Sequence, residues 1–415
     1  MITDEMREHK NLIRYKIDGF DILFENGDIE SVPAGMINHL YIEKDFDVLF
    51  FPLINVAMAM KDTVYERINQ ESETVQFRMK VIKNIYDKDF KFLKYELFCN
   101  QLFRCFMDKT RVIKDNEQMK DKEETENKSE SANYYGNTRN FYLFTEDVIK
   151  CKKILNLSIE SADITDLVLY LMGECGINKL LMSKLDNYET VENMIIPNGN
   201  LIDTINYLDN IKGFYKKGLV LFFDIDCAYF IDKNALCTSW RPNEVKTTHI
   251  HISNQKSGDS ELNGQFISKD RKQNHVFANT NRVDMVNTNI VHDQLSGNKL
   301  VVIDSKNDNI TDITSDSTQI GEPNKHMLST KVQNSFTISN IKTTMQENEC
   351  MCDISFLGVD IDVFTPNKEI ILTYEDPEFN KKYSGNYRVT KIIAVFKKDA
   401  EELVGEVQVS LKRQK

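Results

Sequence analysis

The amino-acid sequence predicts an α+β protein that is mainly β. Alternating apolar and polar residues, typical of half-buried strands, dominate both ends of the chain, at about residues 1–110 and 335–415. Apolar residues at helical spacing are confined to about residues 145–215. Residues 249–334 are rich in Asn, Asp, Ser, Thr, Lys and Gln, with short apolar islands, and predict a polar, loop-rich β extension.

The first 113 residues predict a mainly β domain. Asp18-Gly19 and Asn26-Gly27 favour tight turns between strands, because these dipeptides accept positive φ. Further predicted elements are a buried strand within 48–60, a short helix at 63–70, a long amphipathic strand at 74–86 and a Phe- and Cys-rich element at 93–107.

Residues 114–133 form a mixed-charge stretch with a single Met and no aromatic side chain. Such a composition buries too little apolar surface to offset the entropy lost on ordering, so it predicts a charged loop. A regulatory segment or a docking site is the functional alternative.

Residues 134–248 predict an α+β middle domain. A strand at 134–143 precedes a helix that begins near Thr145, and a second helix is predicted at 161–173. Apolar residues from Leu201 to Ile211 follow a period near 3.6, and Gly213 suits the end of that helix. The apolar run Leu219 to Phe223 predicts a buried strand, and Ala228 to Ile231 predicts a second one.

Asp224 and Asp226 follow this buried strand and allow two interpretations. A short apolar strand that runs into Asp-x-Asp resembles the opening of haloacid-dehalogenase-like phosphatases, which implies Asp224 as nucleophile, Asp226 as general acid/base and a bound Mg²⁺. The chain departs from that family at Cys227-Ala228 and lacks the alternating βα units of its parallel sheet. The alternative is that both aspartates end a strand and form a turn.

The last segment, residues 335–415, predicts five strands joined by short turns. Their bounds are about 335–341, 353–363, 369–374, 385–397 and 403–412. This arrangement is typical of a small antiparallel barrel or sandwich.

Charge and hydropathy exclude several functional classes. The net charge of −12 with no long basic run argues against specific nucleic-acid binding. No stretch reaches the length of an apolar membrane helix, so we expect no membrane insertion. Residues 1–10 are polar and charged, which predicts synthesis in the cytosol without a signal peptide.

Cysteine spacing gives little support for a metal site. The eight Cys residues show no C-x-x-C pair. His249 and His251, with Cys350 and Cys352, are two i,i+2 pairs that would make a Cys2His2 zinc site if the fold joined them, but this spacing chelates poorly. We therefore predict no cofactor and no metal.

Two stretches resemble the hub proteins at the distal end of contractile phage tails and related injection machines. The first, residues 196–244, is IPNGNLIDTINYLDNIKGFYKKGLVLFFDIDCAYFIDKNALCTSWRPNE. The second is Phe364-Thr365-Pro366-Asn367-Lys368, followed by Tyr383-Ser384-Gly385-Asn386-Tyr387-Arg388-Val389. In that family the hub joins the tail tube to the membrane-puncturing spike.

The resemblance implies two small antiparallel tube-like β-barrel domains, at residues 1–113 and 335–415, in a structural and non-enzymatic virion protein. Three chains would form a homotrimeric ring of six similar barrels in the tail baseplate. The expected partners are tail tube proteins, the spike protein and neighbouring baseplate proteins.

Aromatic residues of the central stretch are the candidate interface residues, namely Phe214, Tyr215 and Trp240, although each is also a candidate for the core. Two other functions stay open: the Mg²⁺-dependent phosphatase that uses Asp224 and Asp226, and a peripheral baseplate or receptor-contacting tail protein.

Overall fold

The computed structural model describes the chain in thirteen parts: residues 6, 8–106, 137–233, 247–253, 264–268, 273–286, 298–304, 309–314, 324–329, 336, 339–340, 351–399 and 402–414. The charged stretch 114–133, Trp240 and Cys350 lie outside these residues. Strands dominate, with a few short helices, and the predicted α+β, mainly β class is confirmed.

Strands and helices are numbered here in chain order over the described residues. The strands are β1 Leu12–Leu23, β2 Ile29–Ser31, β3 Ile37–Asp45, β4 Leu53–Met60, β5 Gln76–Tyr86, β6 Phe92–Phe106, β7 Asn137–Thr145, β8 Leu155–Asp163, β9 Leu180–Met182, β10 Thr190–Gly199, β11 Leu219–Phe223, β12 Ala228–Asp232, β13 Thr247–Ser253, β14 Gln265–Ser268, β15 Gln273–Asn279, β16 Val283–Val286, β17 Asn298–Asp304, β18 Asn309–Thr314, β19 Asn324–Ser329, β20 Met351–Leu357, β21 Glu369–Tyr374, β22 Gly385–Asp399 and β23 Glu402–Arg413. The helices are α1 Asp62–Gln70, α2 Glu146–Lys150, α3 Ile164–Glu174, α4 Leu201–Ile211 and α5 Pro377–Tyr383.

Eight strands close into a barrel in the order β22-β3-β4-β7-β6-β5-β1-β23, and β23 pairs back with β22. Side chains alternate along these strands, so that every second residue of β1 from Ile13 to Ile17 is buried. An eight-stranded barrel is just wide enough for its own side chains to fill. The barrel interior is therefore a packed core, in which Phe20, Phe77 and Phe141 are fully buried.

A second group of eight strands continues the same sheet, in the order β14-β15-β13-β21-β22-β23-β20-β16. It shares the long strands β22 and β23 with the closed barrel. The first and last predicted domains are thus hydrogen-bonded to each other in one sheet. The sequence does not predict this joining, because strand periodicity does not reveal which strands pair. The predicted boundaries of the five segments remain a prediction.

The middle of the chain has a core of its own around α3 and α4. The ribbon β8–β10 and the three-stranded sheet β11-β12-β9 surround it. The β11–β12 hairpin lies between the two cores: Val220 and Phe222 face the barrel core, and Leu221 and Phe223 face the middle core. This alternation explains why the run of apolar residues in β11 has no polar face.

Several predicted elements agree with the structure and others differ. The strand predicted at 353–363 ends at Leu357 and is followed by the 3-10 turn Ile361–Phe364, and the described residues 336 and 339–340 of the strand predicted at 335–341 are helical. The predicted helix over 201–211 is α4, and the predicted strand over 219–223 is β11. Asp18-Gly19 is not a turn, because β1 continues through it with a bulge between Ile17 and Gly19. The helix predicted from Thr145 ends at Lys150, and Leu155 already belongs to β8, where pairing with β10 overrides local helical spacing.

Candidate functional site

Asp224 and Asp226 lie in the turn that joins β11 to β12. The Asp224 N–H donates to the carbonyl of Cys227 at 3.0 Å, and the Asp224 carboxylate accepts from the Ile225 N–H at 2.8 Å. These contacts are those of a strand end and a tight turn. Asp224 is buried, whereas Asp226 is exposed.

The Asp224 carboxylate is paired with a buried lysine of the barrel. Lys44 Nζ lies 2.8 Å from Asp224 Oδ2, and both side chains are almost fully buried. Burial alone would lower the pKa of Lys44, but Asp224 and further carboxylates raise it above its ordinary value. A nucleophilic carboxylate needs access to substrate and metal, and a buried carboxylate bound to an ammonium group has neither. Within the described residues, no group of three or more His, Cys, Asp or Glu could hold a metal ion.

A second buried lysine of the barrel binds two carboxylates. Lys83 Nζ on β5 lies 2.6 Å from Asp360 and 3.1 Å from Asp362, at the 3-10 turn Ile361–Phe364 between β20 and β21. Tyr15 donates to Asp360 at 3.3 Å and accepts from the N–H of Ile361 at 3.1 Å. Burial lowers the pKa of Lys83, but the two carboxylates outweigh it and raise the pKa.

Lys44, Lys83, Asp224, Asp360 and Asp362 form what we call the ionic junction. The two lysines belong to the closed barrel, Asp224 to the middle region, and the other two aspartates to the second group of strands. The junction therefore fastens three parts of the chain to one another. Sequence reasoning missed it, although one signal was present: both lysines occupy the apolar phase of strand alternation, after Ile42 and Val81.

The predicted interface aromatics lie in the middle core where they are described. Phe214 and Tyr215 are 0% and 2% exposed, and the Tyr215 hydroxyl donates to the Ser183 carbonyl at 2.8 Å. These side chains offer no surface to a neighbouring chain, so an interface in this region would use their exposed neighbours. Trp240 lies outside the described residues.

The structure separates, in part, the His and Cys pairs whose spacing made a zinc site unfavourable. His249 and His251 lie on β13, and their rings stack with that of His275 on β15. His251 Nε2 is 3.0 Å from His275 Nδ1, so these nitrogens bind each other. Cys352 is buried on β20, a strand that is not paired with β13.

An apolar surface stands out at the end of the β5–β6 hairpin. Phe90, Phe92, Leu93, Tyr95 and Leu97, which we call the apolar tip, are each between 51% and 68% exposed. Within the described residues, β6 pairs with β7 only from Phe103 onward, whereas β5 stays paired with β1 up to Tyr86. The tip therefore lies where β6 has β5 as its one described partner. Contiguous apolar patches of this kind mark interaction sites. The tip is therefore the candidate functional surface of the described chain.

The sequence matches, over residues 10–414, the family described as Bacteriophage PBS1 gene 109 protein, and the chain belongs to this family. The family is one of bacteriophage proteins. The predicted resemblance to phage tail proteins is confirmed. Among curated proteins, none matches the chain. Within the described residues, no helix is both long and apolar enough to cross a membrane.

Several solved structures have a similar chain trace. A tail protein from Neisseria meningitidis MC58 is 9% identical with a TM-score of 0.49, and the match covers 97% of both chains. The 43 kDa tail protein of prophage MuSo2 from Shewanella oneidensis is 9% identical with a TM-score of 0.49, over 97% of this chain and 96% of that one. An E. coli type VI secretion component, described as similar to the T4 tail proteins gp27 and gp5, is 7% identical with a TM-score of 0.42, over 92% and 74%.

Proposed function

We propose that the chain is a structural protein of a contractile phage tail, namely the baseplate hub that connects the tail tube to the puncturing spike. One observation carries this proposal: a single chain holds two eight-stranded groups, one closed into a barrel, that share the strands β22 and β23. A connector between a six-fold tube and a three-fold spike needs two tube-like units in each of three chains. The family membership supports the same role.

The homotrimer would form a ring with a central channel. Because packed side chains fill the closed barrel, DNA would pass between the subunits and not through a barrel. The net charge of −12 fits such a channel, since a negative wall repels phosphates and does not retain them.

The proposed role is non-enzymatic and needs no cofactor. The burial of Asp224 against Lys44 gives this residue a structural task and leaves the phosphatase hypothesis without support from the described geometry. The protein would be made in the host cytoplasm and would act in the virion, at the tail baseplate, beside neighbouring baseplate proteins.

The test is reconstitution with the natural partners. The full chain is co-expressed with the tube and spike proteins of the same phage, and the purified complex is measured by native mass and negative-stain imaging. We expect three copies of the chain in a ring that contacts both partners, and no complex with the tube protein of an unrelated phage. A chain that stays monomeric beside both partners, or that occupies only the tail periphery, would contradict the hub role.

A further inference from the structure

Three histidine side chains lie together on one face of the second group of strands, and the proposed function does not use them. His249 and His251 are two residues apart on β13, and His275 lies opposite His249 on β15. The three rings are nearly parallel, at 10–13° to one another, with centroids 5.0–6.1 Å apart. We call these three residues the histidine cluster.

The hydrogen bonds of the cluster suit neutral imidazoles. His251 Nδ1 lies 3.0 Å from the Thr373 hydroxyl, and His251 Nε2 lies 3.0 Å from His275 Nδ1. In either neutral tautomer of His251, one ring nitrogen donates and the other accepts, so both contacts are made. If His251 and His275 were both charged, two N–H donors would face each other across 3.0 Å.

Burial makes a positive charge on the cluster costly. His251 and His275 are 7% and 6% exposed, and Nε2 of His249 is buried without a hydrogen-bond partner. Burial is the main cause that lowers the pKa of His251 from 6.5 to about 3, and the charge of His275 lowers it further.

The neighbouring strands compensate such a charge only weakly. The Phe277 ring of β15 stacks on His251, and the Phe266 ring of β14 lies 5.9 Å from that of His275. Among the described residues, Glu369 on β21 is the charged group outside the cluster that acts on it. This carboxylate raises the pKa of His249, but burial outweighs it and the pKa is lowered.

The cluster lies at one end of the sheet. β14, β15 and β13 are the first three strands of the sheet order, and none of them belongs to the closed barrel. β13 pairs in parallel with both β15 and β21, and parallel pairs are slightly less stable per residue than antiparallel ones. The contact of His251 with His275 joins β13 to β15, and its contact with Thr373 joins β13 to β21. The cluster therefore links strands that can separate while the barrel stays closed.

We propose that the histidine cluster is an acid-sensitive switch, which holds β13, β14 and β15 on the sheet at neutral pH and releases them when the imidazoles take up protons. In the released strands each histidine has a pKa near 6.5, so these strands bind protons that the buried cluster does not bind. The contribution of the cluster to stability is therefore complete above about pH 7 and decreases as the pH falls below about 6.5. The inference does not depend on the hub role.

Hydrogen exchange of the full chain at about pH 7 and about pH 5 tests this switch, with rates corrected for the intrinsic pH dependence of amide exchange. We expect peptides from β13, β14 and β15 to exchange about tenfold or more faster at the lower pH, because proton uptake by even one histidine shifts the opening equilibrium by such a factor. Peptides from β4 and β5 of the closed barrel should change by less than about twofold. Equal corrected rates in β13–β15 at both pH values, or an equal acceleration in the barrel, overturn the proposal.

A double variant removes the titration and keeps the hydrogen bonds. His251→Gln places an amide near the position of Nε2, and His275→Asn places one near the position of Nδ1. We expect β13–β15 of this variant to exchange at the same corrected rate at both pH values. His39→Gln, on β3 of the closed barrel, is the matched control and should retain the wild-type acid response. A double variant that still opens in acid overturns the proposal.

A second measurement needs no substitution and decides the matter if the double variant is already open at neutral pH. Deuterium uptake at the C2 carbon of each imidazole in the wild-type chain reports the pKa of that histidine. We expect a midpoint below about pH 5 for His251, in agreement with its burial. A midpoint near 6.5, the ordinary value, would show that the folded cluster takes up protons freely and would overturn the switch.

Discussion

Two hairpins of this chain share aromatic strands and aspartate-containing turns, but their turn ends lie in opposite environments. The β11–β12 hairpin and the β5–β6 hairpin both carry aromatic residues on their strands and aspartate in their turns. The first is buried on both faces, and its Asp224 binds Lys44. The second buries one face in the barrel core, where Phe77 and Phe103 are fully buried, and exposes its end, the apolar tip. There Asp87 accepts from the N–H groups of Asp89 and Lys91 within the turn.

The difference teaches that apolar content alone does not define a core. The chain covers β11–β12 with two cores, but the described residues leave the apolar tip of β5–β6 uncovered. An apolar surface that folding does not cover is available for assembly. Substitutions in the β11–β12 hairpin should therefore lower the free energy of unfolding of the isolated chain more than substitutions in the apolar tip.

The largest expected contrast comes from removing one phenylalanine from each hairpin. Phe222 is fully buried and its ring packs against Phe46 with centroids 4.8 Å apart, so Phe222→Ala should lower the free energy of unfolding by about 3–5 kcal/mol. Phe92→Ala at the tip should lower it by only about 1 kcal/mol, because Phe92 is half exposed and its ring packs edge-to-face against Tyr86. Denaturant unfolding of the monomer measures both. Equal losses would mean that the tip is part of the folded core.

The second largest contrast is expected between the aspartates of the two turns, in how much each contributes to the free energy of unfolding. Asp224→Ala leaves the Lys44 ammonium buried without its nearest partner, and we expect a loss of about 3 kcal/mol. Adding Lys44→Met should recover much of this loss, because an apolar pair of similar size needs no desolvated charge. Asp87→Ala is the control in the exposed turn and should cost about 1 kcal/mol. If the double variant is no more stable than Asp224→Ala, the pair does not act as a unit.

Acid should weaken the ion pair between Asp47 and Arg388. Asp47 follows Phe46, whose ring packs against Phe222 of the buried hairpin. Burial raises the pKa of Asp47, but the hydrogen bonds and charge of Arg388, together with Lys412, lower it from 3.8 to about 2. The folded state therefore favours the ionised carboxylate, and this stability is present above about pH 4 and is lost as the pH falls through 2. We expect about 1–2 kcal/mol, since the side chain is still 17% exposed and solvent screens the pair. Asp47→Asn should flatten the pH profile of unfolding in this window, and an unchanged profile would argue against the pair.

Local elements could be predicted from the sequence, but their partners could not. The stripe from Leu201 to Ile211 and the run from Leu219 to Phe223 each define an element through their own spacing. Closure of the barrel depends on β22 pairing with β3, more than 300 residues away along the chain, and no local pattern contains that information. The sequence predicts the class of fold, while the joining of its two β regions is a tertiary property.

The same limit applies to the functional surface. The aromatics of the central stretch were predicted to be interface residues because they are large and clustered, yet Phe214 and Tyr215 are core residues by their burial. The residues of the apolar tip have the same composition, and only the three-dimensional structure separates the two sets. A lysine in the apolar phase of a strand, as at Lys44 and Lys83, is the one signal of the ionic junction that a sequence carries.

The smallest expected effect is a gain in stability at the apolar tip. Phe90 adopts φ of +59°, a conformation that Asn tolerates better than an aromatic residue. Phe90→Asn should raise the free energy of unfolding of the monomer by no more than about 0.5 kcal/mol, because relief of the strain is partly offset by loss of the contact between the Arg14 guanidinium and the Phe90 ring. Unfolding in denaturant at a concentration where the chain is monomeric measures this gain. Asn193 is the matched control, because it already combines Asn with φ of +49°, and Asn193→Phe should lower stability by a similar amount. A loss of stability in Phe90→Asn would show that Phe90 contributes to the fold of its own chain, and the contrast between the two hairpins would then fail at the turn of the exposed one.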